Sequence, residues 1–181
     1  IPFVKYLQSK NIIPGIKVDM GAKPLALHSN EKVTEGLDGL SQRLEEYYNL
    51  GARFAKWRAV IKIGSGIPSN ACIQTNAHAL ARYAALCQEA SIVPIVEPEV
   101  LMDGDHTIET CHDVSEKSFR SVFEELAIQG IYLEGMVLKP NMVVSGIDCI
   151  DQAGVEEVAD RTVECLKTTV PDDVPGCAFL S

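Results

Sequence analysis

Residues 131–141 read IYLEGMVLKPN, and the lysine near the end of that stretch governs how the rest of the chain is understood. The run is apolar, β-branched at Ile131 and Val137, and closed by Pro140, the pattern of a buried strand over 131–139. Its last residue is Lys139. A cation at the end of an apolar strand gives up hydration, so it needs a partner, a surface position or a task. A desolvated amine is favoured in its free, nucleophilic form, suited to attacking a ketone and forming a Schiff base. On a strand, Gly135 would share the face of Lys139 and leave space for close approach to the backbone. The competing reading is a lysine snorkelling out of a strand end.

Working outward, the same kind of strand recurs. Residues 11–19, 52–63, 92–97 and 176–181 complete a set of five, each of the first four followed by a helix. The helices are expected over 34–50, 68–91, 114–129 and 154–169, with a short one over 2–10 before the first strand. Residues 21–33 read as a polar loop. Alternation of strands and helices argues for parallel strands joined by right-handed crossovers, and the apolar runs suit strands covered on both faces. The first helix has no strand before it, the last strand has no helix after it, and no initiator Met is present. Residues 1–181 therefore read as a single domain cut at both ends, the central part of a (β/α)8 TIM barrel, here a partial barrel of about five parallel strands with flanking helices.

Each of the first four strands ends in charge: Lys17 and Asp19, Lys56 and Arg58, Glu97 and Glu99, then Lys139. Within a pair the i, i+2 spacing puts both side chains on one face. From 17 to 56 is 39 residues, from 56 to 97 is 41, and from 97 to 139 and 139 to Ser181 is 42 each. One polar residue per βα unit, always at the carboxyl end, is where parallel α/β proteins build their sites. Four cations against Asp19, Glu97 and Glu99 leave a net positive cluster suited to a phosphorylated substrate. Neighbouring cations favour the free amine on Lys139, and Glu97 is placed to move protons.

Composition narrows the alternatives. The net charge of −9 argues against nucleic acid as a partner, and no apolar run approaches the roughly 20 residues of a membrane span. The opening IPFVKYLQSK lacks the features of a signal peptide. Six cysteines, at 72, 87, 111, 149, 165 and 177, form no CxxC and read as reduced core residues of a cytoplasmic protein. The glycines of 64–69 complete neither GxGxxG nor a P-loop. Asp103, Asp105 and His106 read as a solvated loop, His78 and His112 as ordinary polar positions, and Trp57 as packing on the face opposite Lys56.

GIKVD at 15–19, FAKWR at 54–58, IVPIVEPE at 92–99, DGDH at 103–106, YLEGMVLKPNMV at 132–143 and the terminal FLS resemble the class I fructose-bisphosphate aldolases. That resemblance implies a cytoplasmic, usually homotetrameric (βα)8 barrel of glycolysis and gluconeogenesis. It also implies reversible cleavage of fructose 1,6-bisphosphate to dihydroxyacetone phosphate and glyceraldehyde 3-phosphate, with neither metal nor other cofactor. It assigns the Schiff base to Lys139, the general acid/base to Glu97, and an assisting role in the carbinolamine steps to Lys56. Glu99 supports the charge network, Lys17 and Arg58 bind substrate, including the phosphate remote from the ketone, and Ser181 holds the ketone-side phosphate. The family also needs an aspartate on the first barrel strand, a glycine after the FLS serine, a distal arginine with its glycine, and a tyrosine-bearing tail. None falls within these residues. Two other readings stand beside this one: a metal-dependent or other phosphosugar barrel enzyme, for which only His106 is near a strand end, and a non-catalytic aldolase piece with a binding or scaffold role.

Overall fold

A computed structural model of the chain describes residues 2–179. In order these form α1 (Phe3–Ser9), β1 (Gly15–Lys17), β2 (Ala22–Pro24), β3 (Lys32–Thr34), α2 (Leu40–Leu50), β4 (Phe54–Ile61), α3 (Asn70–Glu89), β5 (Val93–Val100), α4 (Ile108–Ile128), β6 (Val137–Leu138) and α5 (Val155–Thr169). One sheet has the order β1-β4-β5-β6 with all pairings parallel, and β2 and β3 form a separate antiparallel hairpin. The fold class expected from the alternation is borne out. The strand count differs: the fifth strand appears as a single parallel bridge between Cys177 and Leu138, and Leu180 and Ser181 lie outside the described residues.

β4 alternates without a break. Ala55, Trp57, Ala59 and Ile61 are buried against the helices, while Phe54, Lys56, Arg58 and Val60 line the opposite face. The pattern is that of a pleated strand with one face in a core. Trp57 and Tyr83 of α3 stack with ring centroids 5.5 Å apart, and Leu80, Leu126, Val96 and Leu138 close around them. The expected packing role of Trp57 is met. β5 sits inside the sheet although it holds Pro94 and Pro98. Val93 N–H donates to Arg53 and Leu101 N–H to Ile61, so odd-numbered residues face β4 and both prolines turn their missing N–H toward the short β6.

Four expectations need correction. The stretch 131–136 is not strand: Leu133–Gly135 is a 3-10 turn, and the strand proper is Val137–Leu138. The Gln88 side-chain amide accepts the Tyr132 N–H at 3.0 Å and donates to the Tyr132 carbonyl at 2.7 Å, satisfying a backbone that would otherwise seek a strand partner. Gly135 is consequently not on the face of Lys139. The polar loop over 21–33 contains the β2–β3 hairpin. Buried Asn76 pins it, donating to the Lys32 carbonyl at 2.8 Å and accepting the Thr34 N–H at 3.2 Å. α2 starts at Leu40 rather than 34, because Gly36 and Gly39 adopt positive φ of 127° and 63°. α4 starts at Ile108 rather than 114: Thr107 caps it by accepting the Thr110 N–H, and Ile108, Cys111 and Ser115 are buried at helical spacing inside what reads as a polar run.

Candidate active site

The face of the sheet turned away from the helices carries the charges, and register gathers them. β1 sets Lys17 beside Lys56, and β4 sets Arg58 beside Glu97. Lys139 follows β6 directly, its N–H bonded to the Val96 carbonyl at 2.8 Å. At the centre is Glu97, whose side chain is only 3% exposed. Its Oε1 accepts from Lys139 Nζ at 2.6 Å, and Lys56 Nζ forms an ion pair with Oε2 at 2.5 Å. Arg58 Nε lies 4.0 Å from the same Oε1 and donates to Glu99. Lys139 is 12% exposed in its side chain, so it is a strand-end lysine withdrawn from water and not a snorkelling one.

Six of the seven residues to which the family resemblance assigns a role fall in the described part. Lys139, Glu97 and Lys56 form one contact group, and Arg58 and Glu99 extend it along the strands. Lys17 stands at its edge, its side chain 53% exposed and paired with Asp19. Ser181 lies outside the described residues. Every cation of the cluster has a carboxylate partner, and the four cations outnumber the three carboxylates by one.

Asp19 does more than balance charge. Its buried carboxylate accepts the Gly21 N–H at 3.0 Å and the Arg58 N–H at 3.2 Å, tying the end of β1 to β4. Asn141, two residues beyond Lys139, was not legible as a site residue. It looks like an ordinary turn asparagine after proline, and only its side-chain bonds to β5 and α4 give it significance.

The other chemistry-bearing side chains stay apart from this centre. Burial pushes the Cys72 thiol up to about 11 and those of Cys87 and Cys165 up to about 12, so they remain protonated and poor nucleophiles. Cys72, Cys87, Cys111 and Cys165 are core residues as expected, whereas Cys149 is half-buried and Cys177 exposed, since both lie in irregular segments. His106 is buried, and that burial holds its imidazole below the usual range. Among the described residues no three His, Cys, Asp or Glu side chains converge as a metal-ligand set.

A four-stranded parallel sheet with flanking helices, carrying a withdrawn lysine on a buried carboxylate at the carboxyl ends of its strands, defines an α/β protein with a lysine–carboxylate centre, consistent with part of a β/α barrel. Comparison with known proteins makes this specific. The family model for class I fructose-bisphosphate aldolase matches residues 1–181, and the chain belongs to that family. A probable fructose-bisphosphate aldolase class 1 from Xanthomonas campestris pv. campestris is 65% identical over 181 residues, all of this chain and 54% of the relative. Human fructose-bisphosphate aldolase C is 51% identical over 181 residues, 50% of its length. A solved structure of fructose-bisphosphate aldolase from Plasmodium falciparum, in complex with TRAP and a small-molecule inhibitor, superimposes with a TM-score of 0.98. It is 49% identical and covers 100% of this chain and 53% of that one. The chain spans about half the length of the curated relatives it matches.

Proposed function

We propose that these residues are the central part of a class I fructose-bisphosphate aldolase, which cleaves fructose 1,6-bisphosphate reversibly to dihydroxyacetone phosphate and glyceraldehyde 3-phosphate in glycolysis and gluconeogenesis. The observation that carries the reading is the Lys139–Glu97–Lys56 group, with one buried carboxylate touching two lysines. Lys139 attacks the C2 ketone carbon, and the resulting carbinolamine loses water to become an iminium ion. A base removes the proton from the C4 hydroxyl, the C3–C4 bond breaks, and its electron pair enters the iminium to give an enamine. Glyceraldehyde 3-phosphate leaves as the aldehyde. Protonation of the enamine at C3 and addition of water then release dihydroxyacetone phosphate and the free lysine.

Glu97 is placed to carry the protons of these steps, because it already touches the amine that gains and loses them. Lys56 holds the other carboxylate oxygen and assists the carbinolamine steps. Arg58 and Lys17 supply cations for the phosphate remote from the ketone, Glu99 orients Arg58, and Ser181 takes the ketone-side phosphate. The iminium serves as the electron sink, so the reaction runs without metal or other cofactor. The protein works in the cytoplasm as a homotetramer; its buried, protonated thiols suit a reducing compartment, and among the described residues no helix is long and apolar enough to cross a membrane.

A polypeptide of the relatives' full length carrying these residues is expected to cleave fructose 1,6-bisphosphate at an unchanged rate in excess EDTA. Loss of activity on chelation would overturn the lysine-based reading.

A further inference from the structure

A proline, Pro98, interrupts the ladder that carries Lys139. β5 and β6 pair as Ile95 with Val137 and Val96 with Leu138, and the rung from Lys139 N–H to the Val96 carbonyl is the last main-chain bond between them. Continued at the same offset, Pro98 would stand opposite Pro140; Pro98 has no N–H to give the Lys139 carbonyl, while position 140 is in phase with Leu138, whose main chain bonds to residues 176–178 and not to β5. The next donor on that side of β5 is Val100. In an unbroken parallel ladder its N–H would meet the main-chain carbonyl of residue 141. It donates instead to the side chain of that residue, reaching Asn141 Oδ1 at 3.1 Å. The other end of the amide is equally committed: Nδ2 donates to Ser115 Oγ at 2.9 Å and to the Met142 carbonyl at 3.1 Å. Ser115 belongs to α4 and is fully buried.

We propose that Asn141 is a positioning residue for Lys139, its side chain carrying the β5 connection past the rung that Pro98 removes. The inference rests on the Schiff-base reading above. β6 is two residues long, so little else holds its carboxyl end against β5. Glu97 and Glu99 stand on β5 and Lys139 on the chain that Asn141 clamps to it. Fixing Val100 to Asn141, and Asn141 to α4, sets the separation of those two backbones at the level where Lys139 Nζ meets Glu97 Oε1. The task needs an acceptor toward Val100 and a donor toward Ser115 on one short side chain. Asparagine has both, aspartate keeps the acceptor while Ser115 can turn its hydroxyl to donate, and alanine has neither.

The test compares Asn141→Ala, Asn141→Asp and Ser115→Ala in the full-length polypeptide. The readouts are kcat and KM for fructose 1,6-bisphosphate, the rate of borohydride-trappable adduct formation with dihydroxyacetone phosphate, and the thermal melt. Asn141→Ala is expected to lower kcat and adduct formation together by about 10- to 100-fold with KM within about threefold, the signature of misplaced reacting groups and not of lost binding. Asn141→Asp is expected to return kcat to within about threefold of the unaltered protein, and Ser115→Ala to cost about two- to fivefold. A kcat for Asn141→Ala within about twofold of the unaltered protein, or equal losses in the Ala and Asp variants, would overturn the positioning role. If Asn141→Ala does not fold, Ser115→Ala decides: unchanged kcat and adduct rate there overturn it. No adduct from the unaltered protein would overturn the Schiff-base reading itself and this role with it, whereas full-rate adduct formation by Asn141→Ala would overturn this role alone.

Discussion

Glu97 is a buried carboxylate that two ammonium groups make affordable: Lys139 at one oxygen and Lys56 at the other compensate its lost hydration. The same arrangement puts a proton carrier against the amine that reacts. Replacing Glu97 by Gln preserves shape and removes both the charge and the proton capacity. In the full-length polypeptide, Glu97→Gln is expected to lower kcat by roughly 10²–10⁴-fold, the usual worth of positioned acid–base catalysis, with substrate affinity changed much less. Turnover within about threefold of the unaltered protein would remove Glu97 from that role. These residues were legible because each is a charge at the end of an apolar strand, where burial makes charge costly, and because their i, i+2 spacing fixes a shared face. Asn141 was not legible: its type is common after proline, and its importance comes from a rung missing on another strand 41 residues away.

At the level of elements, the β2–β3 hairpin shows what pattern reading misses. Residues 22–34 have no apolar period, and the hairpin is held by side-chain bonds to other elements: Asn76 of α3 at β3, the Thr34 hydroxyl on the Arg58 carbonyl at 2.7 Å, and Glu31 on the Ser69 N–H at 2.7 Å. The 3-10 turn before β6 was hidden for the same reason, since Gln88 of α3 holds it. The long strands β4 and β5 and the helices α3 and α5 were legible because their own residues supply the period and the core contacts. The Glu31 anchor has a pH signature. Burial opposes ionisation of its carboxyl, but hydrogen bonds from the Ser69 hydroxyl and N–H and the Cys72 thiol, with the His28 charge, outweigh it and hold the group below the usual carboxylate range. A depressed folded-state value means the anchor stabilises fully above the ordinary glutamate range and fades as pH falls through the lowered value. Glu31→Ala is expected to destabilise the protein by about 1–3 kcal/mol at pH 7, the worth of a hydrogen bond to a charged group and the donor it leaves unpaired. In denaturant titrations the gap between the two proteins should narrow below about pH 4. A gap that is constant from pH 7 to pH 3 would show that the Glu31 charge contributes nothing.

Taken as a unit, residues 1–181 expose more surface than a closed domain of their size. A compact chain of 19.7 kDa is expected to expose about 8,600 Å², and this one exposes 9987 Å². α1 buries no residue, Phe3, Tyr6, Ile12 and Ile13 face solvent, and β1 forms an edge three residues long. Residues 1–181 expressed alone are therefore expected to aggregate, or to exchange amides throughout, without cleaving fructose 1,6-bisphosphate, because open edges and uncovered apolar faces erode a stability of only about 5–15 kcal/mol. A sharp cooperative melt together with measurable cleavage would contradict that expectation. Whether Lys139 is the residue that attacks the ketone is read from chemistry that marks the reacting nitrogen. The full-length polypeptide is incubated with dihydroxyacetone phosphate, reduced with borohydride, digested and mapped by mass spectrometry. The reduced adduct is expected on Lys139; an adduct on Lys56 or Lys17 with none on Lys139 would show that another lysine forms the Schiff base.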